Sequence, residues 1–174
     1  KHLEPPPVGT TFFNFLASHD GIGLRPLEGL LPPEVVEAMA TTAVDRGGAV
    51  SLRSLPDGST KPYELNISYI DGLVPAQADN ATRAAAMIAA HGILLALAGL
   101  PGIYIHSILG SRSDQTLMAE TGRNRSINRA KLDAAAVRDE LDDPSTLRHL
   151  VFAGIGRLLR ARAAEPTLHP DAGQ

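Results

Sequence analysis

The chain has 174 residues, 44% of them hydrophobic and 20% charged, enough for one ordinary domain with a real core. Its net charge of −3 leaves no footprint for nucleic acid or for an anionic membrane surface. It has no cysteine, which excludes a disulfide scaffold, a thiolate zinc site and a cysteine nucleophile.

The lead-in, Lys1 to Gly9, reads as loop with Pro5-Pro6-Pro7 held extended. It lacks a signal-peptide pattern, so the expected location is cytoplasmic. Thr10 to Ala17 is nearly continuously apolar and predicts a strand buried on both faces, as in a parallel sheet. The run ends in His19-Asp20 and a glycine turn, Gly21-Ile22-Gly23. Polar groups at the carboxyl end of such a strand sit where α/β barrels keep their chemistry. The plain alternative is a core strand followed by a polar turn.

A helix is predicted from Glu34 to about Arg46, with Val35, Ala38, Met39, Thr42 and Ala43 as its apolar stripe and Gly47-Gly48 as its stop. Ala49 to Leu55 and Lys61 to Ile70 alternate like strands, and Pro56-Asp57-Gly58 between them signals a turn, so a hairpin is expected. Asp79 or Asn80 caps an alanine-rich helix from Ala81 to about Ala98, closed by Gly99. Leu100 to Leu109 then reads as a second buried strand, the αβ step of a parallel sheet. The apolar run from Ile93 to Leu100 is too short and too interrupted to span a bilayer.

Ser111 to Asp133 reads as a long arginine-rich loop, a length that is more often functional than filler. Ala134 to Leu141 forms a short helix. Asp143-Pro144 starts the last one, Ser145 to Ala164, which Glu165-Pro166 stops. Two strands cannot make a stable sheet, so the pattern is that of part of an α/β architecture with an α+β insertion after the first strand.

Three constellations carry candidate chemistry. His19-Asp20 fits a ligand site, a turn cap, or a carboxylate fixing a histidine tautomer. Metal binding with His91 or His106 matches no zinc spacing, so no metal is expected, and His91 reads as a core histidine. Tyr63-Glu64-Leu65-Asn66 reads as an exposed hairpin edge or as ligand-facing groups. Gly122 to Arg129 reads as a solvated loop or as a site for hydroxyl-rich or anionic ligands, because arginine presents a planar fork of donors.

Phe15-Leu16-Ala17-Ser18-His19-Asp20-Gly21-Ile22-Gly23 resembles the His-Asp motif at the end of barrel strand seven in the alpha-amylase superfamily, in the version of its sucrose phosphorylase branch. Tyr63-Glu64-Leu65-Asn66-Ile67-Ser68-Tyr69 is similar to the acceptor-side loop of those enzymes, and Arg125-Ser126-Ile127-Asn128-Arg129 to their motif after strand eight. The three occur in the family's order and the resemblance covers roughly Thr10 to Arg162.

The resemblance implies the C-terminal portion of a (β/α)8 barrel. Residues 1–23 would supply strand seven and its lead-in, and 24–78 a small inserted domain of helix plus hairpin. Residues 79–166 would supply helix seven, strand eight, an active-site loop and helix eight, and 167–174 the start of a C-terminal domain.

It also implies a retaining α-glucoside phosphorylase that passes glucose from a small glucoside (sucrose, glucosylglycerate or glucosylglycerol) to phosphate. Inorganic phosphate is then a co-substrate, with no cofactor, and a homodimer is one assembly option. Asp20 matches the transition-state-stabilising carboxylate and His19 a donor to sugar hydroxyls. Arg125 matches the arginine that pairs with an aspartate from the missing half of the pocket. Tyr63 and Glu64 match positions facing the leaving group or phosphate. The nucleophile and general acid would lie on earlier strands. Those phosphorylases usually carry glutamine where Glu64 stands and threonine where Ser18 stands, and the combination here is closer to relatives using glucosylglycerate or glucosylglycerol. A carboxylate at Glu64 repels phosphate unless an arginine offsets it. The alternatives are a hydrolase or transglucosidase on the same scaffold, and a non-catalytic sugar-binding or interaction module.

Overall fold

The computed structural model describes residues 4 and 6–169. The expectations for residues 1–3, 5 and 170–174, part of the proline lead-in and of the C-terminal segment, lie outside the described residues. The strands are β1 (Phe13–Phe15), β2 (Ile22–Gly23), β3 (Ala49–Ser54), β4 (Thr60–Asn66) and β5 (Leu100–Gly102). The helices are α1 (Pro33–Asp45), α2 (Tyr69–Leu73), α3 (Asn80–Ala96), α4 (Ile105–Ile108), α5 (Gln115–Thr121), α6 (Ala134–Asp142) and α7 (Leu147–Ala163).

β1 and β5 pair in parallel, with Phe13 opposite Leu100 and Phe15 opposite Gly102. A parallel pair needs a long crossover, and everything from β2 to α3 supplies it. β1 is shorter than the apolar run that predicts it. Nor is it buried on both faces: Phe13 is 68% and Phe15 56% exposed, because among the described residues β1 has β5 alone as a partner.

β2, β4 and β3 form an antiparallel sheet in that order. The β3–β4 turn closes through Gly58 at φ +83°. The register shifts between Ser51 and Leu52: Ser51 faces Glu64 while Leu52 faces Pro62, leaving Tyr63 as the extra residue of a bulge. α1 packs on this sheet, and Leu24, Val36, Ala40, Ala43, Leu65 and Ile67 form the core between them. A second core, Ile70, Ala84, Met87, Val151 and Ile155, joins α2, α3 and α7.

Three segments differ from the sequence reading. The strand expected over Lys61 to Ile70 stops at Asn66, because Ser68 caps α2 by accepting from the Asp71 amide at 3.4 Å. The strand expected over Leu100 to Leu109 stops at Gly102 and becomes α4; a short apolar run does not separate a strand from a buried helical turn. The expected loop Ser111 to Asp133 holds α5, capped by Asp114 and closed by Gly122 at φ +63°, and a 3-10 turn over Asn124–Asn128. The cap of α7 is Thr146 rather than Asp143; its hydroxyl accepts from the His149 amide at 3.1 Å.

A buried ion pair ties these pieces together. The Asp71 carboxylate accepts from Arg83 Nη1 at 3.0 Å, the Ser68 hydroxyl at 2.9 Å, the Ser113 amide at 2.8 Å and Arg112 Nε. Arg83, almost fully buried, also donates to the carbonyls of Ala76 and Ala78. Each of its three guanidinium nitrogens therefore has an acceptor, as burial demands.

The His-Asp pair sits on a tight turn between β1 and β2. Ser18 and Gly21 exchange backbone hydrogen bonds at 3.1 and 3.2 Å. Gly21 adopts φ +131°, and a Cβ there would stand 2.1 Å from the Leu65 carbonyl oxygen. No L side chain fits that space or that conformation. Gly21→Ala is expected to cost about 2 kcal/mol or more of stability by urea denaturation; a variant as stable as the parent would contradict this packing. His91 is buried, with Nδ1 2.8 Å from the Met87 carbonyl oxygen, and burial pushes its pKa below the ordinary 6.5. The unfolded chain therefore binds the proton more readily, so this contribution to stability is complete above about pH 6.5 and is lost as pH falls below it. Urea midpoints between pH 7.5 and 5.5 should fall, and His91→Gln should fall less steeply; parallel slopes would contradict it.

Candidate active site

The turn after β1 presents Asp20 half-buried and His19 exposed. Arg129 Nη2 donates to Asp20 Oδ1 at 2.7 Å, and Arg129 Nε to the His19 carbonyl at 3.3 Å. His19 Nε2 and Arg125 Nη1 each stand 3.4 Å from the same Asp20 oxygen. The Asp20 carbonyl accepts from Asn66 Nδ2 at 3.0 Å and from Asn128 Nδ2 at 3.4 Å. Both the carboxylate and the backbone that carries it are therefore fixed from several directions, which preorganises an acceptor.

β4 contributes the second carboxylate. Glu64 is 6% exposed. Arg125 meets it as a two-pronged fork, Nε to Oε1 at 3.0 Å and Nη2 to Oε2 at 2.9 Å. Such a fork is the strong form of a charged hydrogen bond. The Glu64 carboxylate holds the Arg125 proton more firmly than usual, chiefly through this hydrogen bond. Asn66 Nδ2 also reaches Glu64 Oε1, at 2.7 Å, and Asn66 Oδ1 accepts from the Ser51 hydroxyl at 2.7 Å. The bulge at Tyr63 falls next to Glu64 in the chain. Beneath them Tyr104, its phenol pKa raised chiefly by burial, donates to the Asn128 carbonyl at 2.7 Å.

The His19-Asp20 pair, Glu64 and Arg125, from three distant segments, thus meet at one place, with Tyr63 next to Glu64 in the chain. The carboxylate partners of Arg125 among the described residues are Glu64 and Asp20. The charge of Glu64 is therefore offset by an arginine. Sequence reasoning missed Arg129 as the partner of Asp20, and Asn66 and Asn128 as the amides that hold its backbone. Each lies inside a quoted motif, so position was the signal available. The arrangement offers fixed carboxylate acceptors and guanidinium donors to a polyhydroxylated or anionic ligand.

No protein-family model matches the chain. It is 44% identical over 171 residues to a glucosylglycerate phosphorylase of Escherichia coli, a match covering 98% of this chain and 31% of that protein. It is 46% identical over 164 residues to a glucosylglycerate phosphorylase of Spirochaeta thermophila, covering 94% of this chain and 28% of that protein. Its fold matches a crystal structure of sucrose 6F-phosphate phosphorylase from Thermoanaerobacter thermosaccharolyticum with a TM-score of 0.74 at 23% identity, over 90% of this chain and 30% of that one. The homologues of this chain are thus glucosylglycerate and sucrose phosphorylases, and it spans about 30% of the length of the curated relatives it matches.

Proposed function

We propose that the chain is part of a retaining α-glucoside phosphorylase, and that β1 and β5 are strands seven and eight of its (β/α)8 barrel. The observation that carries the reading is Asp20, a half-buried carboxylate at the carboxyl end of a parallel strand, braced by Arg129 with His19 alongside. The β1–β5 register supports the barrel reading, since neighbouring barrel strands are parallel and keep chemistry at that end.

In a retaining double displacement one carboxylate attacks the anomeric carbon and a second protonates the leaving oxygen, then acts as base. On this reading both come from residues outside the chain. Asp20 accepts hydrogen bonds from sugar hydroxyls, and these strengthen as positive charge develops on the ring. His19, the more exposed neighbour, donates to the hydroxyls. Arg125 neutralises Glu64, so an incoming phosphate meets no uncompensated carboxylate there, and Glu64 is free to order acceptor hydroxyls through its arginine. Tyr63 faces the leaving group or phosphate. The identity to glucosylglycerate phosphorylases, together with glutamate at position 64 and serine at 18, favours glucosylglycerate as the glucosyl donor over sucrose. Inorganic phosphate as co-substrate, no resident cofactor, a cytoplasmic location and a homodimer complete the proposal.

The test uses the full-length parent protein with phosphate and three glucosides: glucosylglycerate, glucosylglycerol and sucrose. The expected product is α-glucose 1-phosphate, formed fastest from glucosylglycerate. Free glucose in its place would make the protein a hydrolase, and no product from any of the three would overturn the reading. Asp20→Asn should lower turnover roughly a hundredfold to a thousandfold with the fold intact by circular dichroism; parental activity in that variant would remove Asp20 from the site.

A further inference from the structure

A cleft of about 510 Å³ opens beside the Glu64–Arg125 pair, lined by Ser51, Arg123, Asn124, Arg125, Ser126 and Arg129. Its charges do not balance. Arg125 occupies both oxygens of Glu64, and Arg129 binds Asp20. Arg123 is exposed and, among the described residues, its guanidinium makes no hydrogen bond and no ion pair. The Nη1 nitrogens of Arg125 and Arg129 also make no hydrogen bond among those residues. Three guanidiniums therefore face one space with two carboxylates between them.

Arg123 is also held in place through its backbone. Gly122 turns the chain at φ +63° after α5, the Arg123 amide donates to the Thr121 hydroxyl at 3.4 Å, and the Arg123 carbonyl accepts from the Ser126 amide at 3.0 Å. The Thr121 hydroxyl in turn donates to Ser126 Oγ at 2.7 Å. A neutral sugar gives no reason to keep a third, unpaired cation at this position. An oxyanion does, because a guanidinium fork matches two oxygens of a carboxylate or a phosphate.

We propose that this cleft is an oxyanion subsite, with Arg123 as its principal contact and the Nη1 groups of Arg129 and of Arg125, the latter 3.4 Å from Asp20 Oδ1, beside it. The inference rests on the phosphorylase reading for its ligands: a carboxylate carried by the aglycone, or inorganic phosphate. Both present the same chemistry to the cleft.

The experiment compares the full-length parent with Arg123→Ala and Arg123→Lys. For each, KM and kcat are measured with glucosylglycerate, with glucosylglycerol and with varied phosphate. Arg123→Ala should raise one KM about tenfold or more and leave kcat within about twofold, with Arg123→Lys recovering part of the loss. A rise confined to glucosylglycerate places the aglycone carboxylate in the cleft. A rise in the KM for phosphate with both glucosides places phosphate there. Unchanged KM values for all three overturn the subsite. Calorimetric titration with sodium glycerate and with inorganic phosphate separates this outcome from failure of the phosphorylase reading. Binding weakened about tenfold by Arg123→Ala supports the subsite even in a protein that makes no glucose 1-phosphate, and equal binding of both ions by parent and variant overturns it.

Discussion

The candidate site depends on one buried amide. Asn66 has no measurable exposure, and its three hydrogen bonds reach three different places: the Ser51 hydroxyl on β3, the Glu64 carboxylate on its own strand and the Asp20 backbone on the turn after β1. A carboxamide suits this task because it carries donor and acceptor on one rigid plane. Both Nδ2 hydrogens are used, one on a charged and one on a neutral oxygen. An aspartate would lose both donors and face Glu64 with like charge, and a leucine would leave the Asp20 carbonyl with the longer Asn128 contact alone. Either change loosens the backbone that carries Asp20. The small antiparallel sheet and the parallel pair thus share a fixed reference, and Arg125 and Arg129 close it from the far side of the sequence.

How much of this is legible in the sequence depends on the range of the interaction. The helices over Pro33–Asp45, Asn80–Ala96 and Leu147–Ala163 follow from apolar periodicity and local stop signals, and the β3–β4 hairpin from alternation around a Pro-Asp-Gly turn. α2, α4 and α5 do not, since each is too short to show a period, and caps such as Ser68 and Asp114 read equally well as loop residues. The Asp71–Arg83 pair joins residues whose partners are chosen by tertiary packing, and a buried arginine in an alanine-rich helix looks in sequence like an ordinary solvated one. Asp20, His19, Glu64 and Arg125 were legible as motif members. Their mutual geometry was not, and the pairing of Glu64 with Arg125 is visible only in three dimensions.

The exposed rings on β1 have a consistent physical meaning under the proposed reading. Phe13 and Phe15 lie with their centroids 5.7 Å apart, and the outer edges of β1 and β5 carry no further strand among the described residues. Apolar rings on a two-stranded parallel sheet are costly to leave in water, and unpaired strand edges invite pairing. In a closed barrel, neighbouring strands would satisfy both. The two buried cores, by contrast, are formed by the chain's own elements: α1 on the antiparallel sheet, and α2 and α3 against α7. On that reading the candidate site, at the carboxyl end of β1, faces strands outside these residues. That is where half a pocket would stand.

The most direct measurement of the central claim is a crystal structure of the full-length parent with α-glucose 1-phosphate bound. The account predicts glucose hydroxyls within about 2.6–3.2 Å of the Asp20 carboxylate and the His19 ring, with the Arg125–Glu64 fork beside them. Glucose seated elsewhere, with Asp20 and His19 touching no part of it, would contradict the account.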